Sequence, residues 1–175
     1  VLDDLAGQIP ARCVGSYLAM DGELDPGPFV ERCHAQQRAV ALPRIDGDVL
    51  EFVGVTPATG YVAHDRGMSE PVGGEPVAVA QIDLLIGPAL GVSRDGTRLG
   101  FGGGFYDRTL GPVDPADRPL LVTLVHPEQV VDRIERRRWD VPVDVIATPG
   151  GLTWTSTRGP DAITRPRGDR RSDGN

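Results

Sequence analysis

The chain has 175 residues, enough for one domain with a true hydrophobic core and too few for several. A net charge of -7 argues against nonspecific nucleic-acid binding, and a composition of 39% hydrophobic but 5% aromatic residues implies a core of Val, Leu, Ile and Ala. All 18 basic side chains are arginine, which excludes Schiff-base chemistry and a phosphate-binding lysine.

Along the chain, residues 1–20 place Leu2, Leu5, Ile9, Val14, Tyr17 and Leu18 at loosely helical spacing, broken by Pro10. Asp25 and Pro26 resemble an N-cap and a first-turn proline, predicting a helix over 26–37. Residues 39–43 and 49–53 read as strands, the second with one wet face. Residues 55–76, rich in Gly and Pro, read as an irregular connection. Further strands are expected at 82–86, 120–125 and 143–147, the last closing the fold. A helix is expected from Phe105 to Leu110, and a short helix or turn over 130–138. This alternation predicts an α/β fold on a central, largely parallel sheet. The domain is assigned to residues 1–156. Residues 157–175, where Arg158, Arg165, Arg167, Arg170 and Arg171 mingle with Asp161, Asp169 and Asp173, read as a disordered, solvated tail.

Cys13 and Cys33 form no metal motif and read as small buried thiols, and His34, His64 and His126 lack metal-like spacing. With no signal peptide and no apolar run long enough for a bilayer, a soluble cytoplasmic protein is expected.

The most informative segment is Arg98-Leu99-Gly100-Phe101-Gly102-Gly103-Gly104-Phe105-Tyr106-Asp107-Arg108. A stretch so poor in side chains lets backbone N–H groups wrap an anion. Flanking arginines supply charge for phosphate oxygens, and an aspartate can hold a Mg²⁺ that bridges them. No Gly-Lys-Ser/Thr follows, so this is no Walker A loop, and Gly-x-Gly-Gly-Gly does not fit Gly-x-Gly-x-x-Gly. On the glycines alone, a plain strand-to-helix turn is an equal alternative.

The whole string resembles the signature of the 5-formyltetrahydrofolate cyclo-ligase family, also called methenyltetrahydrofolate synthetase. The approach over Ile82–Ile86, Pro88-Ala89-Leu90 and Asp95-Gly96-Thr97 is similar too. So are Tyr17-Leu18 with Glu23-Leu24-Asp25, then Leu42-Pro43-Arg44, Glu70-Pro71, and Asp140 to Thr148. The likeness covers about residues 15–148. It implies a three-layer α/β/α sandwich that converts 5-formyltetrahydrofolate and ATP to 5,10-methenyltetrahydrofolate, ADP and phosphate, with Mg²⁺. The implied partners are small molecules, with no nucleic acid or membrane, and the implied state is a monomer or weak dimer.

The resemblance also implies roles. Arg98 to Tyr106 (Arg98, Leu99, Gly100, Phe101, Gly102, Gly103, Gly104, Phe105, Tyr106) would hold ATP, with Arg98 and Tyr106 catalytic. Asp107 and Asp144 would hold the metal; Leu18, Glu23 and Tyr106 would hold the folate, Glu23 through pterin N–H groups. From residue type alone, the alternative for Asp107 is an N-cap or a pair with Arg108. Tyr106 could be a half-buried aromatic, Asp144 a strand-edge carboxylate facing water, and Glu23 an exposed loop residue. Arg44 and Glu70 are fainter candidates.

The family's basic Lys-x-x-Leu-Arg helix has no counterpart in Val1–Leu5, so either a preceding segment is missing or the ATP site is reduced. Ser93 stands where Asp is frequent, Trp139 where His is, and Pro149 where Glu is. Two rival readings follow: a noncatalytic folate- or nucleotide-binding relative with a regulatory role, and a CoA transferase or sugar-phosphate isomerase on a related sandwich. The second would want a glutamate or lysine near its glycine turn, where this chain has Arg and Asp.

Overall fold

The computed structural model describes residues 1–64 and 67–155. Its centre is a seven-stranded sheet. The five inner strands are parallel: β1 (Cys13–Gly15), β2 (Ala39–Asp46), β6 (Leu84–Gly87), β9 (Leu120–Leu124) and β11 (Val145–Thr148). Two antiparallel strands close its edges, β3 (Val49–Val55) beside β2 and β12 (Gly151–Trp154) beside β11. Across the sheet the order is β12-β11-β9-β6-β1-β2-β3.

Both faces of the sheet are covered, so its inner strands are largely apolar at their centres; all four residues of β6 are buried. Val14, Leu84, Ile86, Val122 and Val145 face α1 (Leu2–Gln8) and α2 (Gly27–Ala35), which contribute Leu2, Leu5, Phe29 and Cys33. Leu85, Leu121 and Ile146 face the opposite layer, built from α3 (Phe105–Leu110) with Val92, Val141 and Val143. The architecture is therefore the three-layer α/β/α sandwich around a largely parallel sheet. Each such Leu or Ile removes enough apolar surface from water to contribute about 1.5–3 kcal/mol. Gly15 permits the close β1–β6 seam: a Cβ there would lie 2.6 Å from Leu85 Cδ1.

The strand order sets the position of the site. From β1 the chain winds outward to β2, whereas β6, β9 and β11 wind the other way. The segments leaving the carboxyl ends of β1 and β6 therefore diverge, opening a crevice at the reversal.

Several elements differ from the sequence expectation. β1 lies inside the stretch read as helical; three residues are too few to show a period, and tertiary burial decides. The helix predicted over 26–37 is N-capped by Pro26 rather than Asp25, and the Asp25 carboxylate accepts the Gly27 N–H at 2.8 Å from one residue earlier. The connection 55–76 contains a ribbon, β4 (Tyr61–Ala63) with β5 (Ser69–Pro71). A small sheet forms from β7 (Gly91–Ser93), β8 (Arg98–Leu99) and β10 (Val130–Val131), so the region 130–138 starts as a strand, not a helix. The strand ending near residue 147 is not the last, since β12 pairs back on it. The tail assigned to 157–175 lies outside the described residues.

Candidate active site

The crevice is lined first by the segment after β1. Tyr17 is buried, and its hydroxyl donates to the Leu24 carbonyl. Between these anchors the chain makes a tight turn. The Glu23 N–H donates to the Met20 carbonyl at 3.0 Å, and Glu23 Oε2 accepts the Met20 N–H at 2.8 Å. This reciprocal pair holds the Glu23 carboxylate in one place. Its second oxygen, Oε1, is buried without a partner; Ser16 Oγ is the other such side-chain oxygen among the described residues. Burial pushes the Glu23 carboxyl above the usual carboxylate range, with the Met20 N–H opposing. Leu18 is half-buried and packs against the α1–α2 side of the core.

The opposite wall comes from the carboxyl end of β6. The Tyr106 ring lies over Gly87, where an added Cβ would be 3.7 Å from its Cε1. Burial drives the Tyr106 hydroxyl well above the phenolic range; Arg98 opposes this and the Glu23 carboxylate adds to it. Burial does the same to Tyr17, with Glu23 and then Tyr106 adding. Two neutral phenols and one carboxylate thus converge at the crevice.

The glycine-rich bend leads into this wall. Leu99 and Phe101 are 54% and 61% exposed, so the bend lies on the surface and not in the core. Gly102 (φ +86) and Gly104 (φ +64) take the left-handed conformation that L side chains resist, and Gly104 caps α3. Arg108 staples the bend from outside, donating through Nη2 to the Gly103 carbonyl at 2.7 Å and through Nε to Asp48 O at 2.6 Å. Its guanidinium lies 5.2 Å from the Phe105 ring centroid.

Beneath the bend, Arg98 is buried, with a side chain only 7% exposed. Its Nη2 donates to Asp107 Oδ1 at 2.8 Å and its Nη1 to the Val141 carbonyl at 3.1 Å. Val141 returns its N–H to the same Oδ1 at 3.0 Å. The guanidinium carbon is 5.5 Å from the Tyr106 ring centroid, within cation–π range. Desolvation pulls the Arg98 pKa down while Asp107 holds it up.

Asp144 is placed apart from this group. It is 3% exposed at the amino end of β11, and its Oδ2 accepts the Leu121 N–H at 2.9 Å. With Leu110, Arg118 and Val141 it lines a cavity of about 110 Å³. It shares the α3 face of the sheet with Asp107, three residues beyond Val141, rather than facing water. Among the described residues no three His, Cys, Asp or Glu side chains cluster as a ready metal cage. Mg²⁺ does not need one: it is commonly held by one or two carboxylates, phosphate oxygens and waters. Asp107 suits that role, because Oδ1 takes both protein donors while Oδ2 takes none among the described residues.

The structure thus brings Glu23, Arg98, the bend, Tyr106 and Asp107 together. Arg44 is committed to Glu51, its Nε 2.6 Å from Oε2, and Glu70 Oε1 accepts the Ile45 N–H at 2.8 Å. Sequence reasoning missed Tyr17 and Val141 as parts of the site. The Tyr17-Leu18 pair was a visible signal for the first. Val141 works through its peptide groups, which leave no trace in residue identity.

A doubly wound sheet with a glycine-rich bend and a half-buried carboxylate near its reversal point has the arrangement of a ligand-binding α/β protein. The sequence model described as the 5-formyltetrahydrofolate cyclo-ligase family matches residues 5–149. The chain is 31% identical over 147 residues to the 5-formyltetrahydrofolate cyclo-ligase of Escherichia coli K12, covering 81% of this chain and 80% of that protein. It is 32% identical over 137 residues to that of Mycolicibacterium smegmatis, covering 77% and 67%. The NMR structure of Aquifex aeolicus 5,10-methenyltetrahydrofolate synthetase superposes with a TM-score of 0.72 at 29% identity, over 89% of this chain and 80% of the other. A Mycoplasma pneumoniae 5,10-methenyltetrahydrofolate synthetase shares the fold, with a TM-score of 0.64 at 22% identity over 83% and 77%. The chain belongs to the 5-formyltetrahydrofolate cyclo-ligase family and is an enzyme of the ligase class.

Proposed function

We propose that this protein converts 5-formyltetrahydrofolate and ATP to 5,10-methenyltetrahydrofolate, ADP and phosphate, with Mg²⁺. The observation that carries the reading is the buried, partnerless Glu23 Oε1 at the β1–β6 reversal. Leaving a carboxylate oxygen buried and unpaired is costly unless a ligand supplies donors. A reduced pterin offers adjacent N–H groups that a carboxylate can accept.

In this reading the Glu23 carboxylate takes the pterin N–H groups, and Leu18 and Tyr106 flank the ring. The backbone N–H groups of Gly100 to Gly104 receive the triphosphate on the open bend, with Leu99, Phe101 and Phe105 completing that segment. Asp107 would hold Mg²⁺ through Oδ2, whereas Asp144, buried at the amino end of β11 and bonded to the Leu121 N–H, would support the neighbouring segment rather than share the cation. When bound, the cation neutralises phosphate oxygens. The formyl oxygen then displaces ADP from the γ-phosphorus, forming an imidate phosphate. N10 attacks the activated carbon and the ring closes; phosphate leaves with the electron pair of the C–O bond and carries off the N10 proton. The protein's task is alignment: it holds the formyl oxygen in line with the phosphorus and excludes water. Tyr106, kept neutral by burial, is suited to donate a hydrogen bond rather than to accept a proton.

The test is the purified chain mixed with 5-formyltetrahydrofolate, ATP and Mg²⁺. The methenyl chromophore should appear only when all three are present. A protein that binds folate but never forms the chromophore would refute the catalytic reading.

A further inference from the structure

Resemblance makes Arg98 a phosphate partner, but its surroundings assign a different task. We infer that Arg98 is a positioning residue that registers Asp107 against the Val141–Asp144 segment and supports Tyr106 from beneath. This inference rests on the site reading above.

Four observations carry it. The side chain is 7% exposed, so its charge does not face the open bend. Each terminal nitrogen donates to a protein acceptor, Nη2 to Asp107 Oδ1 at 2.8 Å and Nη1 to the Val141 carbonyl at 3.1 Å, which fixes the plane of the guanidinium. Val141 closes the ring by donating to the same Oδ1 at 3.0 Å. The guanidinium lies 5.5 Å from the Tyr106 centroid. Turning Arg98 toward a phosphate would strip the Asp107 carboxylate of its cation and leave a backbone carbonyl unpaired, which opposes the movement.

The ring joins β8 and α3, which flank the bend, to the segment entering β11, 43 positions from Arg98. That segment ends at Asp144, itself fixed by the Leu121 N–H at 2.9 Å. Arg98 thereby sets how Asp107 stands relative to the segment that enters β11. It also turns Asp107 so that Oδ1 is used internally and Oδ2 is left for a cation. A planar fork is needed, because the two acceptors are reached by different nitrogens; a lysine ammonium offers one point of charge.

A direct phosphate contact and a positioning fork make opposite predictions for Arg98→Lys and Arg98→Met. Two quantities separate them: ATP affinity in EDTA, by calorimetry, and Mn²⁺ affinity of the ATP complex, by electron paramagnetic resonance. Thermal melting confirms that each variant is folded, and Arg98→Lys keeps the charge should Arg98→Met fail to fold. For both variants, metal-free ATP affinity should stay within about twofold of wild type. Mn²⁺ affinity of the ATP complex should fall about tenfold or more, as when a partner that orients a metal ligand is lost. Loss of metal-free ATP affinity with Mn²⁺ binding intact would overturn the inference, as would full Mn²⁺ affinity in Arg98→Lys. Failure of the wild type to bind ATP would sink the site reading and this inference with it; normal wild-type binding with either contrary result sinks this inference alone.

Discussion

The Tyr17 hydroxyl donates to the Leu24 carbonyl and so closes the loop that carries Glu23 over the carboxyl end of β1. Tyr17 is 3% exposed and Leu24 is half-buried, so this bond is partly shielded from water. Tyr17→Phe should destabilise the fold by about 1 kcal/mol, the net worth of one intramolecular hydrogen bond. Because the loop that aims Glu23 loosens, KM for the folate should rise several-fold while KM for ATP holds. Thermal melts and paired substrate titrations measure both effects.

Glu23 is held by Met20 at one oxygen and left unpaired at the other, and burial raises its pKa. A carboxyl raised in the folded state binds its proton more tightly there than when unfolded. Stability therefore falls as pH climbs from the ordinary glutamate value through the raised one. Glu23→Gln removes that loss. The free variant should melt higher than wild type at neutral pH, and the gain should vanish near about pH 3.5, where the carboxyl is protonated in both states. Folate affinity should drop sharply in the same variant. A wild-type melting profile across this range would contradict the burial argument.

Protons compete with pterin N–H groups for the same oxygen. Wild-type folate affinity should therefore increase with pH through the raised Glu23 titration, and this dependence should disappear in Glu23→Gln. Fluorescence titration of the folate at a series of pH values gives the comparison.

Asp107→Ala removes the proposed cation ligand and the acceptor shared by Arg98 and Val141. Formation of the methenyl chromophore should be abolished while the sheet survives, because Asp107 lies on the α3 layer and no central strand depends on it. Wild-type turnover in this variant would remove Asp107 from the metal site. Far-ultraviolet circular dichroism distinguishes loss of chemistry from loss of fold.

Arg108 ties the glycine-rich bend to Asp48 in the β2–β3 turn through an exposed side chain. Arg108→Ala should leave the melting temperature nearly unchanged and raise KM for ATP, since the bend loses its outer staple but no buried contact. A steady-state ATP titration beside a thermal melt tests it.

The inner strands and the helix after the bend were legible because their residues are apolar in long runs or carry local punctuation. Leu84–Gly87, Leu120–Leu124 and Phe105–Leu110 are the clearest cases. β1, β7, β8 and β10 were not, since two or three residues show no period and become strands only where neighbours supply the ladder. The order Tyr17, Glu23, Arg98–Arg108, Asp144 was readable, and it was enough to point to the family. Residue identity could not show that Glu23 keeps a buried oxygen free, that Arg98 turns inward, or that the Val141 peptide completes the clamp on Asp107. Those properties depend on burial and on groups brought together from as many as 43 positions apart, as Arg98 and Val141 are. A linear pattern records which side chains are present; the solvent and partners each of them meets are set only when the sheet, its two covering layers and the loops at the β1–β6 reversal have packed.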